Sequence, residues 1–316
     1  MYRLVAKPFL EVGLAVAIVG YRVYPLCGSP GSASDARGGV LTQVDDLDAA
    51  YWKLAKEYPE WCDKHFENRY VKEGQKSTNK GSTNRHAHHL PHLGTIVVGH
   101  SSGAHISLLW MVEEAKQRIL SGRNGPPNAP TIDAFIGISG VYNIGHHFDY
   151  EAGRGVQEIS PLKPANGYDR KSYARNSPPW KVQHELIRKL NENERSLLLS
   201  QTRFPGRILL VHGSEDDVVP ISGTCESAKI MKECLGGGSN SHKTNDGGDI
   251  TIDECYIPKT GHQDTVVDLM MLGGHTGPVT KTVVQWVVDG NRQLLQSQKR
   301  RKQEELRFKS MVRSKL

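Results

Sequence analysis

The stretch from Thr95 to Met111 constrains the fold of this chain more than any other part of its sequence. The apolar run Thr95–Val98 leads into Gly99-His100-Ser101-Ser102-Gly103 and then into the helix-forming run Ala104–Met111. A serine between two glycines at a strand-to-helix turn is typical of an exposed nucleophile. The glycines would allow close packing that a Cβ blocks, and the helix N-terminus places partial positive charge beside the hydroxyl. The pattern predicts Ser101 as a candidate nucleophile.

Apolar runs typical of buried strands recur along the chain and alternate with segments of helical period. The predicted strands are Ala15–Tyr21, Thr95–Val98, Asp133–Val141, Arg207–His212 and Ile250–Ile257, and the predicted helices are 2–12, 44–55, 104–111, 180–190, 222–234 and 279–288. Apolar strands separated by helices favour a mostly parallel sheet covered on both faces. The sequence therefore predicts an α/β fold.

The 316 residues, 37% of them hydrophobic, suffice for one large domain with insertions, which we place at residues 1–298. A polar segment at about 63–92 is interpreted as an inserted loop, and residues 142–205, rich in charge and proline, as a cap over the strand ends. Four histidines crowd the end of the insertion: His86, His88, His89 and His92. Because no cysteine or carboxylate is placed to complete a metal site, we interpret them as part of a solvated loop, with metal ligation as the alternative.

Basic charge is concentrated in a C-terminal tail, residues 299–316. The chain has 40 basic and 34 acidic residues, and the tail holds eight of the basic and two of the acidic, so the remainder has 32 of each. The body therefore offers no charge reason for binding nucleic acid. The tail is predicted to be solvated, with weak contact to an anionic membrane surface as the alternative.

Cellular location is predicted from the cysteines and from the C-terminus. The five cysteines are odd in number and widely spaced, which favours a reducing compartment and no disulfide framework. The run Gly13–Gly20 is too short for a membrane span and is interpreted as a strand, not as a signal peptide. Ser314-Lys315-Leu316 matches the peroxisomal address. Peroxisomal location is expected, and the alternatives are the endoplasmic reticulum or Golgi membrane and the cytoplasm.

An acid and a base follow Ser101 in the order that a nucleophile of this kind requires. Asp216 lies in the loop after the strand Arg207–His212, and Asp217 is the second choice for the acid. His262 follows a glycine at the end of the strand Ile250–Ile257, and His275 is the second choice for the base. The order Ser, Asp, His predicts that Asp216 orients His262 and that His262 takes the Ser101 proton.

The predicted chemistry is acyl transfer to water, with neither a metal nor another cofactor. The developing oxyanion needs preorganised donors, and the backbone N–H of Ser102, directly after the nucleophile, is predicted to be one of them.

At these residues the chain resembles the α/β-hydrolase superfamily and, within it, the isoprenylcysteine methylesterase-like carboxylesterases. The narrower resemblance is carried by Tyr21-Arg22 to Pro25, the serine turn, Ser139–Asn143, His147–Gly155 and Lys259–Asp264. It covers most of residues 1–290. It implies an α/β-hydrolase fold and hydrolysis of carboxylic esters, including the methyl ester of a prenylated C-terminal cysteine.

The chain departs from these relatives at its start. They have further strands before the position of Met1, one of which carries an H-G-G loop that supplies the second oxyanion donor. The resemblance therefore leads us to expect an N-terminally truncated hydrolase fold in which Met1 is not the start of the functional polypeptide.

Three functions fit this sequence. The first is a serine esterase acting on a small-molecule or lipidated-cysteine ester. The second is an amidase of the kynurenine formamidase type, which shares fold and triad. The third is a catalytically impaired binding protein of the same fold, which the missing oxyanion loop favours and the complete Ser-Asp-His set opposes.

Overall fold

The computed structural model describes most of the chain, in seven segments. These are residues 2–26, 38–58, 95–121, 132–190, 202–236, 250–271 and 277–290, together with the single positions 198, 292, 293, 296 and 303. The predicted insertion at 63–92 lies outside the described residues, as does all of the tail except position 303. The predictions of membrane contact and peroxisomal import therefore stay predictions.

The sheet of the described residues has four parallel strands in the order β1-β2-β3-β4. They are Thr95–His100 (β1), Ile132–Ile138 (β2), Arg207–Gly213 (β3) and Thr251–Ile257 (β4). Because every neighbouring pair is parallel, each crossover returns the chain to the same end of the sheet. The carboxyl ends of all four strands consequently lie along one edge, where open α/β sheets bind their ligands.

Helices connect and flank these strands. They are Lys7–Glu11 (α1), Gly39–Glu57 (α2), Ser102–Ser121 (α3), Ile144–Gly153 (α4), Leu162–Asn166 (α5), Arg170–Arg175 (α6), Pro178–Lys181 (α7), Ile221–Leu235 (α8), His262–Met271 (α9) and 278–290 (α10). A 3₁₀ turn at Tyr2–Ala6 precedes α1, and α7 continues through a π turn at Val182–Leu186 and a 3₁₀ turn at Ile187–Lys189. None of the described helices has the length and hydropathy of a transmembrane span.

Both faces of the sheet are covered, as its apolar strands predict. Along β3, Ile208 and Leu210 join a core with α2, α3 and α8, while Leu209 and Val211 join a second core with α1, α9 and α10. Successive side chains of a strand point to opposite faces, so this alternation shows a strand buried on two sides. The predicted α/β class is confirmed.

The prediction of a buried strand at Ala15–Tyr21 is wrong. The segment is neither helix nor strand, it pairs with none of the described strands, and most of its side chains are exposed. Leu14 and Val16 pack against the second core beside Ile96, whereas Ile18 points into solvent. Because a strand needs backbone partners as well as apolar side chains, an apolar run alone does not make one. Strand β1 is therefore an edge of the four-stranded sheet.

Two substitutions test this correction. Ile18 is 52% exposed and Ile136, in the middle of β2, is fully buried. We expect Ile18→Ser to change the free energy of unfolding by less than about 0.5 kcal/mol and Ile136→Ala to lower it by about 2–5 kcal/mol. Urea unfolding of both variants measures the difference. An equal loss from the two would show that residues 15–21 form a buried strand after all.

Candidate functional site

The serine turn holds Ser101 in a left-handed backbone conformation, with φ of 55°. Few residues other than glycine adopt this backbone conformation, and a serine that adopts it stores backbone strain. The turn is fixed from both sides: the Ser101 N–H donates to the Ile138 carbonyl of β2 at 2.9 Å, and the Ser101 carbonyl accepts from Ala104 and His105 of α3 at 3.1 and 3.2 Å. These bonds present the hydroxyl at the carboxyl edge of the sheet.

The two glycines of the turn have different roles. A Cβ on Gly99 would lie 2.6 Å from backbone atoms of Gly103 and Ala104, so α3 passes β1 at a distance that only glycine permits. A Cβ on Gly103 would meet only the Tyr21 hydroxyl, at 3.7 Å, which is an ordinary contact. The prediction that both glycines are needed for close packing is therefore right for Gly99 and wrong for Gly103.

His262 joins the serine to a carboxylate. It is the first residue of α9 and is nearly fully buried. Its Nε2 lies 3.1 Å from Ser101 Oγ, and its Nδ1 lies 2.8 Å from Asp216 Oδ2. A carboxylate only accepts, so Nδ1 carries the proton that faces Asp216, and Nε2 is left to accept from the serine hydroxyl. The structure thus brings the three predicted residues into one line of contacts.

Asp216 organises its own loop. Its side chain is fully buried, and Oδ1 accepts from the N–H groups of Val218 and Val219 at 3.0 and 2.8 Å. Burial alone would raise the pKa of Asp216, but hydrogen bonds from His212, His262 and the Val219 N–H outweigh it and place the pKa well below its usual range. The direction of this pKa indicates that Asp216 is a carboxylate at neutral pH.

The loops after β3 and β4 are bonded to each other, which sets the distance between acid and base. The Ser214 N–H donates to the Ile257 carbonyl at 2.9 Å, and the Glu215 N–H donates to the Thr260 carbonyl at 3.0 Å. A Cβ on Gly213 would lie 2.1 Å from that same Thr260 oxygen. The glycine that ends β3 therefore permits the approach that brings Asp216 to His262.

His100, beside the serine, stays uncharged near neutral pH. Its Nε2 lies 3.2 Å from the His262 carbonyl oxygen, and the two imidazole rings are 4.8 Å apart between centroids. Burial, followed by repulsion from His262, lowers the pKa of His100 to about 4. His100 therefore adds no positive charge beside His262 at neutral pH.

The segment between β2 and β3 reaches the acid loop through α4. The Tyr150 hydroxyl donates to the Asp217 carbonyl oxygen at 2.8 Å, and Arg154, just after α4, donates to the same oxygen. Asp217, the second choice for the acid, is exposed and takes part through its backbone. Both residues lie in the run His147–Gly155 that carries the family resemblance, but the sequence indicated a role for neither, because a contact to a backbone carbonyl leaves no residue pattern.

Ser102 begins α3, so its N–H is one of those that have no acceptor within the helix. The Tyr21 hydroxyl lies 3.1 Å from Ser102 Oγ. The neighbouring Arg22 is fixed to α2, since its N–H and guanidinium donate to Asp46 and its carbonyl accepts from Gln43 at 2.9 Å. The end of an otherwise exposed segment is thereby anchored next to the serine turn.

Several predicted positions lie outside the described residues. They are the second base candidate His275, the histidines His86, His88, His89 and His92, and the cysteines Cys27 and Cys62. The described cysteines, Cys225, Cys234 and Cys255, form no disulfide with one another.

Solved structures show which fold this architecture is. Esterase B from Lactobacillus rhamnosis aligns with a TM-score of 0.51 at 13% identity, over 90% of this chain and 68% of that one. Carboxyl esterase 2 from the fungus Tuber melanosporum aligns with a TM-score of 0.50 at 14% identity, over 92% and 72%. The chain has the α/β-hydrolase fold. Ser101 lies at the strand-to-helix turn of the G-x-S-x-G pattern, between β1 and α3. No family model matches the chain, and no curated protein matches it closely enough to count as a relative.

The unequal roles of the two glycines predict unequal effects of alanine. We expect Gly99→Ala to lower the free energy of unfolding by about 1–3 kcal/mol or more, since backbone atoms must move to admit the Cβ. Gly103→Ala should leave it unchanged or raise it by up to about 1 kcal/mol, because alanine favours the helix. Denaturant unfolding of the two variants checks this, and equal losses would contradict the close approach at Gly99.

Burial of His105 in α3 predicts a pH-dependent stability. Burial, partly offset by its 2.7 Å contact to the Asn176 carbonyl, lowers the pKa of His105 from 6.5 to about 4. The unfolded state then binds more protons between these values, so stability falls as pH drops from 6.5 towards 4 and is unaffected above 6.5. In His105→Gln, which keeps an N–H for Asn176, we expect the loss of unfolding free energy between pH 7 and pH 5 to be smaller by about 2 kcal/mol. Urea titrations at both pH values measure it; an identical loss in both proteins would refute it.

Proposed function

We propose that this α/β-hydrolase is a serine esterase in which Ser101, His262 and Asp216 form the catalytic triad. The observation that carries the proposal is the unbroken line of contacts from Asp216 Oδ2 through both nitrogens of His262 to Ser101 Oγ, at 2.8 and 3.1 Å. Nucleophile and base are within hydrogen-bond reach and a third group orients the base, which is the arrangement that activates a serine. The two solved structures compared above are both esterases by name, which supports an ester as the substrate class.

The first half of the reaction forms an acyl-enzyme. Ser101 Oγ attacks the ester carbonyl carbon while its proton passes to His262 Nε2, and Asp216 stabilises the imidazolium through Nδ1–H. The negative charge that develops on the carbonyl oxygen is stabilised by the Ser102 N–H and by the positive end of α3. When the C–O bond of the ester breaks, Nε2–H protonates the departing alkoxide, and the acyl group stays on Ser101.

The second half releases the acid. A water molecule gives a proton to His262 Nε2 and attacks the acyl carbon. The Oγ–C bond then breaks, and Ser101 Oγ takes the proton back from Nε2. Asp216 keeps its charge throughout, in agreement with the direction of its pKa.

The narrower substrate we propose is the methyl ester of a prenylated C-terminal cysteine. Its support is the resemblance of Ser139–Asn143, His147–Gly155 and Lys259–Asp264 to isoprenylcysteine methylesterase-like sequences. In the structure, α4 and Arg154 of the second run contact the acid loop, and the third run carries His262. Two of the three runs therefore lie at the proposed site itself.

Hydrolysis of a short-chain p-nitrophenyl ester tests the triad. We expect Ser101→Ala to lower kcat by about four to six orders of magnitude and Asp216→Asn by about four. Ser102→Ala is the matched control, because it removes a hydroxyl at the neighbouring position and keeps the backbone N–H, and it should lower kcat far less. Equal activity of Ser101→Ala and the wild type would refute the triad.

A comparison of three substrates tests the narrower proposal. Wild-type protein is assayed on a prenylcysteine methyl ester, a short-chain aryl ester and N-formylkynurenine, with Ser101→Ala as the blank. Faster turnover of the prenylcysteine ester is expected. Preference for N-formylkynurenine would identify an amidase instead, and folded protein that turns over none of them would identify a binding protein.

A further inference from the structure

A second histidine, His212, touches the catalytic acid candidate. It lies near the end of β3 and is fully buried. Its Nε2 is 3.2 Å from Asp216 Oδ2 and 2.9 Å from the Val219 carbonyl oxygen, and its Nδ1 is 2.8 Å from Thr224 Oγ1. The oxygen that His262 uses is therefore shared by two imidazoles.

The proton on the His212 ring is fixed by these partners. Nε2 faces a carboxylate and a carbonyl, both of which only accept, so Nε2 carries a hydrogen. The Thr224 hydroxyl can in turn donate to Nδ1. Because His212 is fully buried, the acceptors that its Nε2–H faces are the Val219 carbonyl oxygen at 2.9 Å and Asp216 Oδ2 at 3.2 Å.

We propose that His212 is a positioning residue that holds Asp216 and takes up part of its charge, and thereby sets the acid side of the pH profile. The inference rests on the proposed esterase function. In it, His212 of β3 influences how readily His262, paired with Asp216, becomes protonated.

Asp216 is surrounded by donors from every element that packs against it. His212 approaches from β3, the Val218 and Val219 N–H groups from its own loop, and His262 from α9, while His100 at the end of β1 packs against His262. No other charged group is recorded at the carboxylate among the described residues. The low pKa of Asp216, to which the His212 hydrogen bond contributes despite burial, agrees with a charge shared between two imidazoles.

The direction of the effect follows from this sharing. A carboxylate that gives up one donor concentrates its charge on the other, so Asp216 without the His212 N–H stabilises protonated His262 more strongly. Protonated His262 cannot accept the Ser101 proton. Loss of the His212 N–H should therefore move the acid-side midpoint of the activity profile to higher pH, while Oδ1 stays held by the loop.

The test is the rate at which a fluorophosphonate labels Ser101, measured against pH. His212→Met, of similar volume and without an N–H, should raise the acid-side midpoint by about 0.5 to 1 pH unit. His212→Gln places an amide N–H near the position of Nε2 and should return the midpoint to that of the wild type. His212→Asn, whose amide reaches only as far as Nδ1, should shift it as His212→Met does and replaces that variant if it does not fold.

Thr224→Val is the matched control, since Thr224 is equally buried and contacts the far side of the same ring. It should lower the thermal midpoint of unfolding but leave the labelling midpoint in place. If His212 has a purely structural role, its variants should label more slowly at every pH with an unchanged midpoint. That result, or a shift of the midpoint to lower pH, overturns the inference. Neither result contradicts the esterase proposal. Wild-type protein that takes up no label overturns the proposed function and this inference with it.

Discussion

The parallel pairing of β1, β2, β3 and β4 is the constraint on which the rest of the structure depends. Since all four strands point the same way, the residues that follow β1, β3 and β4 emerge at one edge, although Ser101, Asp216 and His262 are far apart in sequence. Backbone bonds then fix the spacing: the serine turn is bonded to the end of β2, and the loop after β3 is bonded to the loop after β4. As a result, His262 Nδ1 lies 2.8 Å from Asp216 Oδ2 and His262 Nε2 lies 3.1 Å from Ser101 Oγ.

Much of this frame could be predicted from the sequence, because the apolar runs of β1 to β4 and the turn residues after them are local signals. The order of serine, acid and base was readable for the same reason. The prediction of a strand at Ala15–Tyr21 was wrong, because an apolar run indicates that side chains tend to be buried. It does not show that a neighbouring strand is present to accept and donate backbone hydrogen bonds. Glycine is needed at Gly99 but not at Gly103 because of the path that α3 takes past β1. That path cannot be read from the G-x-S-x-G pattern.

The contacts of His212 could not be predicted from the sequence either, for a different reason. A histidine at the end of an apolar strand is ordinarily a satisfied core residue, and its partner Asp216 comes within reach only because the loop folds back on its own side chain. The same loop is held from outside by Tyr150 and Arg154, which bond a backbone oxygen. The Asp216 carboxylate thus connects the sheet to the base, and the backbone of the same loop connects both to α4 and Arg154. Buried histidines make this arrangement sensitive to acid, since protonation of His100 or His105 disfavours the folded state.

In the proposed mechanism this main-chain frame activates one particular hydroxyl. Ser101 and Ser102 are adjacent, but only Ser101 Oγ lies beside His262 Nε2, while Ser102 Oγ faces Tyr21. The most direct measurement is peptide mass spectrometry of the folded protein after reaction with a phosphonate ester, which locates the adduct to a single residue. We expect the adduct on Ser101. An adduct on Ser102, or on a residue outside the serine turn, would contradict it.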